Sequence, residues 1–243
     1  MSTLSNGTIG FIFARGGSKG LPGKNLLKLQ GQSLLERAIR CAQAVQRIDL
    51  VVVSTDDPAI EAEALTCGAT VPFRRPATLS TDNAPEWLAW RHAVEWAQST
   101  YGIDGFNRFV SIPATAPLRS PEDIDACINL FEASDCDAVI TITEGQRNPY
   151  FNMVRMMESG LIEIALRQDI QIAQRQAAPE IFDITTVAYV VAPSFIMQSS
   201  RLMDGRIKGI PIPKERAVDI DDIWDFRMAE VYMRHKDSHR ESA

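Results

Sequence analysis

The sequence predicts an α/β fold in which a mostly parallel sheet carries helices on both faces. Three observations carry that prediction. Short apolar runs of strand length alternate with segments of helical period from residue 9 to about residue 144. The first of these runs empties into a glycine-rich loop, as a buried central strand does. The repeated β-then-α order also requires crossovers, which make neighbouring strands parallel. With 243 residues, 45% hydrophobic and 23% charged, the chain fits one domain with a substantial core rather than a disordered polymer.

Each element has its own local reason. Ile9 to Ala14 is the first strand. Ser33-Leu34-Leu35-Glu36 reads as a capping box, followed by Leu34, Leu35, Ala38, Ile39 and Ala42 at helical spacing. Leu50 to Val53 is a strand closed by Ser54-Thr55-Asp56-Asp57; Pro58 then suits a first helical position, and Gly68 ends that helix. Asn83, with Glu86 three residues on, predicts a helix start ahead of Trp87, Trp90 and Val94. Arg108 to Ile112 is the third strand, Ser120-Pro121 opens a helix with Ile124, Ile128 and Phe131, and Ala138 to Thr143 is the fourth strand.

The rhythm then breaks. Met153 to Met157 and Leu161 to Leu166 read as paired strands about Ser159-Gly160, inside an insertion at about 145–185 that could serve as a dimerisation arm. A strand at Thr186 to Val191, a Pro-interrupted one at Ile207 to Ile212 and a helix from about Asp222 to His235 complete a single domain spanning 1–243.

Composition excludes several functions. A balance of 25 Lys+Arg against 31 Asp+Glu, net −6, argues against a broad nucleic-acid face. Cys41, Cys67, Cys127 and Cys136 form no CxxC pair and there are 3 His, so a zinc site is not expected and the thiols read as reduced. No apolar run approaches the roughly 18 residues of a membrane span, and no signal-peptide pattern opens the chain. The expectation is a cytoplasmic protein.

Ligands of open α/β sheets bind outside the carboxyl ends of the strands. The first such end reads Ala14-Arg15-Gly16-Gly17-Ser18-Lys19-Gly20-Leu21-Pro22-Gly23-Lys24-Asn25. Its four glycines free backbone N–H groups, and Arg15, Lys19 and Lys24 add three positive charges, a combination suited to a polyphosphate. A solvated basic loop is the alternative. The loop is not a P-loop, lacking a Gly five residues before Gly23, nor GxGxxG, because position 18 is Ser. Near the other end, Asp219 and Asp221 alternate across Ile220, so an extended backbone puts both on one side, as Mg²⁺ binding would need. Helix capping is the competing explanation and fits Asp222 and Asp225 better. Arg75, Thr115, Arg119 and Arg175 are further polar candidates at or near strand ends.

These residues together resemble a family. The opening I-F-A-R-G-G-S-K-G-L-P-G-K-N is similar to the signature of the acylneuraminate cytidylyltransferases, also called CMP-sialic acid synthetases. V-S-T-D at 53–56, R-P-A at 75–77, T-A-P-L-R at 115–119, R-Q at 175–176 and D-I-D at 219–221 follow in the family's order. The resemblance implies a Rossmann-like fold of nucleotidyltransferase type and transfer of CMP from CTP to a 2-keto-3-deoxy sugar acid. It assigns Arg15, Gly17, Ser18, Lys19, Lys24, Asn25, Arg75 and Asp82 to the nucleotide, and Asp219 and Asp221 to Mg²⁺. It assigns Thr115, Arg119, Arg175 and Tyr189 to the sugar acid, with Lys24, Asp221 and Arg15 as the catalytic groups. It also implies a homodimer joined through the insertion.

Departures concern the sugar. Pro113 stands where the sialate enzymes carry glutamine, Asn148-Pro149-Tyr150-Phe151 stands where they carry a lysine after a His-Pro pair, and Thr185 takes an asparagine's place. Legionaminate, pseudaminate, deaminated neuraminate and eight-carbon acids therefore stand beside N-acetylneuraminate as expected substrates. A sugar-1-phosphate nucleotidyltransferase and a non-catalytic nucleotide-binding protein are the alternatives.

Overall fold

The computed structural model describes residues 7–166 and 174–240. In chain order the strands are β1 (Gly7–Phe13), the two-residue pieces β2 (Lys28–Leu29) and β3 (Gln32–Ser33), β4 (Leu50–Ser54), β5 (Phe106–Ser111) and β6 (Ala138–Glu144). They continue as β7 (Val154–Met156), β8 (Ile162–Ile164), β9 (Phe182–Val191) and β10 (Ile207–Pro211). The helices are α1 (Leu34–Ala44), α2 (Pro58–Thr66), α3 (Glu86–Tyr101), α4 (Pro121–Glu132), α5 (Pro193–Gln198) and α6 (Ile223–Arg240).

A six-stranded sheet in the order β10-β6-β9-β5-β1-β4 forms the centre. β1 runs parallel to β4 and β5, and β10 parallel to β6. Only β9 opposes its neighbours, pairing antiparallel with both β5 and β6. The chain reaches β9 from the inserted arm instead of a helical crossover, so it can enter from the opposite end. The start of β9 therefore lies beside the carboxyl end of β6, with Ile142 opposite Ile184 and Glu144 opposite Phe182. A register shift between Ile140 and Ile142 interrupts this pair. The Thr141 hydroxyl fills the gap, accepting from the Ala188 N–H at 3.2 Å and the Thr185 hydroxyl at 2.7 Å.

Alternation along the central strands divides the core into two layers. Ile12, Val53 and Val110 face α1, α2, α4 and the buried Phe226 and Ala229 of α6. Ile9, Phe11, Val52 and Phe109 face α3 and α5, where Phe11 stacks on Phe109 with centroids 4.8 Å apart. Removing one such buried ring typically costs about 3–5 kcal/mol.

Local signals decide most boundaries. The Ser33 hydroxyl accepts from the Glu36 N–H at 2.9 Å, while the Glu36 carboxylate turns to Arg40 at 2.7 Å. Ser120 and Asp123 form a reciprocal capping box under Pro121. The expected helix start at Asn83 is corrected: α3 begins at Glu86 behind Pro85, and a turn closed by the Ala84 N–H on the Thr81 carbonyl occupies the preceding residues. Pro85 is the N-cap at φ −59° and ψ 129°, and proline disfavours a helical residue before it, so the capping sequence lies two residues too early. The hairpin about Ser159-Gly160 forms as expected, with Val154 opposite Ile164. Short α5 has no counterpart in the sequence reading.

Candidate nucleotide and metal site

The carboxyl ends of β1, β4 and β5 open on one side of the sheet, and the glycine-rich loop crosses them. Two of its glycines are required by close approach. A Cβ on Gly16 would stand 2.5 Å from Asp57 Oδ2, and Asp57 is pinned because its Oδ1 caps α2 through Ala59 and Ile60. A Cβ on Gly20 would lie 2.4 Å from the Asp221 carbonyl oxygen. The second contact brings the loop against Asp221, 201 residues away in the chain.

The loop's cations all meet carboxylates. Arg15 Nη2 lies 2.9 Å from Asp82 Oδ1, and Lys19 Nζ 2.7 Å from Asp82 Oδ2. The Lys19 hydrogen bond and charge, then Arg15, hold the Asp82 carboxyl below its usual range. Lys24, mostly buried, donates to the Ile220 carbonyl and reaches Asp221 Oδ1 at 3.1 Å. Buried Asn25 donates to the Arg15 carbonyl at 3.0 Å and so fixes the loop's base. Gly17 is exposed at the crest, with nothing within 4 Å of where a Cβ would stand, and Ser18 beside it is half-buried.

Below the loop lies a cavity of about 250 Å³ bordered by Phe13, Arg15, Arg75, Asp82 and Glu86. Arg75 is 6% exposed, its Nε bonded to Ser54 Oγ at 3.1 Å and its Nη2 to the Ser54 carbonyl. Its guanidinium carbon sits 5.6 Å from the centre of the Phe13 ring. Burial pulls this guanidinium down to about 10, against the opposing charges of Asp56 and Glu86.

The Asp219–Asp221 segment docks where the Ile220 N–H bonds the Thr115 carbonyl at 2.8 Å, and Ile220 is fully buried between the two acids. Asp221 is exposed. Asp219 is half-buried, and its Oδ1 is sealed from solvent without a hydrogen-bond partner. Burial raises the Asp219 carboxyl; the Thr115 hydroxyl, Thr186 hydroxyl and Lys24 pull it down, and Asp221 adds to the rise. The Thr186 hydroxyl is near enough to influence Asp219 but forms no hydrogen bond of proper geometry, so both oxygens count as unsatisfied. An orphaned carboxylate oxygen beside a second, open carboxylate fits Mg²⁺, a hard cation that completes its shell with water and phosphate oxygens. Among the described residues no group of three or more His, Cys, Asp or Glu gathers as a metal cluster, so the pair would supply only part of such a shell. Asp222 and Asp225 cap α6 reciprocally: Asp222 Oδ1 accepts from the Trp224 N–H at 2.7 Å, and Asp225 Oδ2 from the Asp222 N–H at 3.0 Å.

Residues expected on the sugar side are placed unequally. Thr115 flanks Asp219 as described. The Tyr189 ring lies 5.7 Å from Trp90, and burial, then the charges of Glu86 and Asp219, keep its phenol protonated. Arg119 is buried and its Nη2 is turned to the Pro113 carbonyl and, at 3.4 Å, the Thr186 carbonyl. Burial lowers it to about 10. It thus braces the loop after β5 against β9. The expectation that Thr185 faces the pocket is corrected: it is buried and bonded to Thr141, because the register shift turns Thr186 toward Asp219 instead. Phe151 is half-buried in a turn led by Asn148. Arg175 starts a 3-10 turn, and its side chain lies outside the described residues.

The family model for cytidylyltransferases matches residues 9–183, from β1 into β9. The chain belongs to the cytidylyltransferase family. Among its relatives, the post-translational flagellin modification protein B of Campylobacter coli is 30% identical over 93% of this chain and 94% of its own. The CMP-N,N'-diacetyllegionaminic acid synthase of Campylobacter jejuni is also 30% identical, over the same shares. In fold, this cytidylyltransferase is similar to a CMP:2-keto-3-deoxy-manno-octonic acid synthetase solved with CTP. That likeness has a TM-score of 0.67 over 95% of this chain and 99% of the other, at 16% identity.

Sequence reasoning missed Glu86 as a site residue. It was read only as a helix-start signal, yet its carboxylate lines the cavity beside Arg75 and accepts from Trp90 Nε1 at 3.2 Å. The available signal was its place in the first turn of a helix following Arg75 and Asp82 in the chain.

Proposed function

We propose that the protein transfers CMP from CTP to the anomeric hydroxyl of a 2-keto-3-deoxy sugar acid of the nonulosonate class, releasing pyrophosphate. The observation that carries this reading is the unsatisfied Asp219 oxygen beside Asp221 and Lys24, set against a glycine-rich loop bearing Arg15 and Lys19. The names of the full-length relatives support a CMP-sugar product.

In this reading the sugar's anomeric oxygen forms a bond to the α-phosphorus while the α–β phosphoanhydride bond breaks to release pyrophosphate, and the hydroxyl proton passes to solvent water. Catalysis of this kind rests on positioning and charge neutralisation. Asp219 and Asp221 would hold Mg²⁺, which when bound polarises the α-phosphate and lowers the pKa of the attacking hydroxyl. Lys24 stands on Asp221 and can turn to the phosphates without leaving a charge unpaired once the metal is in place. Arg15 and Lys19, now on Asp82, would exchange that carboxylate for the departing pyrophosphate. Each such donor, aimed before reaction, is worth on the order of 3–4 kcal/mol of barrier. Arg75, Asn25, Gly17 and Ser18 would shape the nucleotide's seat; Thr115, Tyr189 and the braced Arg119 would shape the sugar side, to which the family resemblance also assigns Arg175.

The proposal extends to a homodimer. Met156, Leu161 and Ile162 of the arm are 78%, 71% and 62% exposed, and Trp224 on α6 is 76% exposed. Apolar surface of this density marks an interface. The cysteines Cys41, Cys67, Cys127 and Cys136 are all free, which fits a reducing cytoplasm, and no helix among the described residues is long and apolar enough to cross a membrane.

The test supplies CTP and Mg²⁺ with legionaminate, pseudaminate, N-acetylneuraminate, an eight-carbon acid and a sugar 1-phosphate, and reads the product by mass. A CMP-sugar acid is expected with at least one acid. Product from the sugar 1-phosphate alone would overturn the acceptor assignment.

A further inference from the structure

Glu86 is the charged group in the nucleotide cavity that the mechanism above leaves without a task. It stands in the first turn of α3, where the helix dipole favours an anion. Its Oε1 is tied to Trp90 Nε1 at 3.2 Å, and Trp90 is buried, so the carboxylate has a fixed direction. The residue is exposed by surface area, while neighbouring protein crowds its carboxyl. That concave setting raises its pKa, against the Trp90 hydrogen bond and the Arg75 charge.

The cavity's chemistry narrows what it can hold. Phe13, Leu79, Ala84 and Ala89 make apolar walls, one of them a flat ring; of the charged residues on the border, Arg15 is paired with Asp82, and Arg75 and Glu86 add a cationic donor and an acceptor. A phosphate in the same place would meet the Glu86 charge, and a hydroxyl-rich sugar would leave the flat apolar walls without a match. A heteroaromatic ring with a donor edge and an acceptor edge suits all of them. Cytosine offers an exocyclic amine as donor beside its ring acceptors, whereas uracil places a carbonyl oxygen where that amine stands. A carboxylate accepts from the first and repels the second.

Resting on the CTP-dependent reading above, we propose that Glu86 accepts a hydrogen bond from the exocyclic amine of cytosine and so selects CTP over UTP. A site that bonds one polar group rejects the analogue that lacks it, because its own acceptor is then left facing another acceptor.

The experiment measures binding of CTP and of UTP by calorimetry, without sugar acid, and kcat/KM for both nucleotides with it. Wild type, Glu86→Gln and Glu86→Asp are compared. Glu86→Gln, whose amide can donate to the uracil oxygen, is expected to lower the CTP:UTP ratio at least about tenfold, with Glu86→Asp restoring part of it. An unchanged ratio in a Glu86→Gln protein that still uses CTP would overturn the assignment while leaving the functional reading intact. Wild type that binds neither nucleotide would overturn both. Glu86→Ala, which removes charge and acceptor together, is read by the same ratio should the glutamine variant not fold.

Discussion

At the carboxyl end of β1, Arg15, Lys19 and Lys24 are each held by a carboxylate of the same chain; on the arm, Met156, Leu161 and Ile162 point outward. The first region can satisfy itself and wait. Charges are interchangeable, so Asp82 and Asp221 can serve as stand-ins for phosphate until a nucleotide arrives. Apolar side chains have no such stand-in except another apolar surface. On the reading proposed above, the comparison teaches that the nucleotide end suits exchange with a ligand, while the arm suits a contact with another apolar surface.

The sharpest way to break this comparison is at the aspartates. Asp219→Asn or Asp221→Asn should reduce turnover by about 10²–10³, the scale of losing a preorganised charge at the reacting centre, with CTP binding retained in part. Steady-state kinetics over a Mg²⁺ titration checks it. Next, Lys24→Ala should lower kcat at least about tenfold; turnover near wild type would refute its place on the phosphates. On the arm, Ile162→Asp should shift the protein from dimer to monomer in light scattering at micromolar concentration, because an unpaired charge in an apolar contact is strongly disfavoured. A monomeric wild type would remove the dimer from the account. A smaller effect belongs to Asp82→Asn, which frees Arg15 and Lys19 and should tighten CTP binding a few-fold at low salt; weaker binding would mean that Asp82 serves the nucleotide directly.

The smallest effect is a pH dependence. The Glu86 carboxyl titrates higher when folded than its usual 4.5, so the native chain keeps this proton longer. The stability that this provides is full below the unfolded value and is lost as pH climbs through the folded one. Glu86→Gln has no proton to lose. Its Tm relative to wild type should therefore rise between about pH 4 and pH 7, measured by thermal scans across that range. A pH-independent difference would place the carboxylate in a solvent-like setting.

Much of the fold was legible because period and capping act locally. Ser33, Ser120 and Pro58 mark helix starts that depend on neighbours three residues away. The glycine-rich loop was legible for the same reason: its chemistry is written in one continuous stretch. The direction of β9 was not, since strand polarity depends on where the chain has travelled in between. Nor was the role of Glu86: Trp90 is its neighbour on the same helix, but Arg75 joins them only once α3 packs on the sheet. Thr185 and Thr186 show the finest failure, because a single register shift beside Thr141 exchanges which hydroxyl faces the pocket.

The most direct test of the central claim is pyrophosphate release from CTP and Mg²⁺ in the presence of a nonulosonic acid, run beside Asp221→Asn. The account predicts release that requires the sugar acid, requires Mg²⁺ and is abolished in the variant. Release that continues without Mg²⁺, or undiminished in Asp221→Asn, would contradict it.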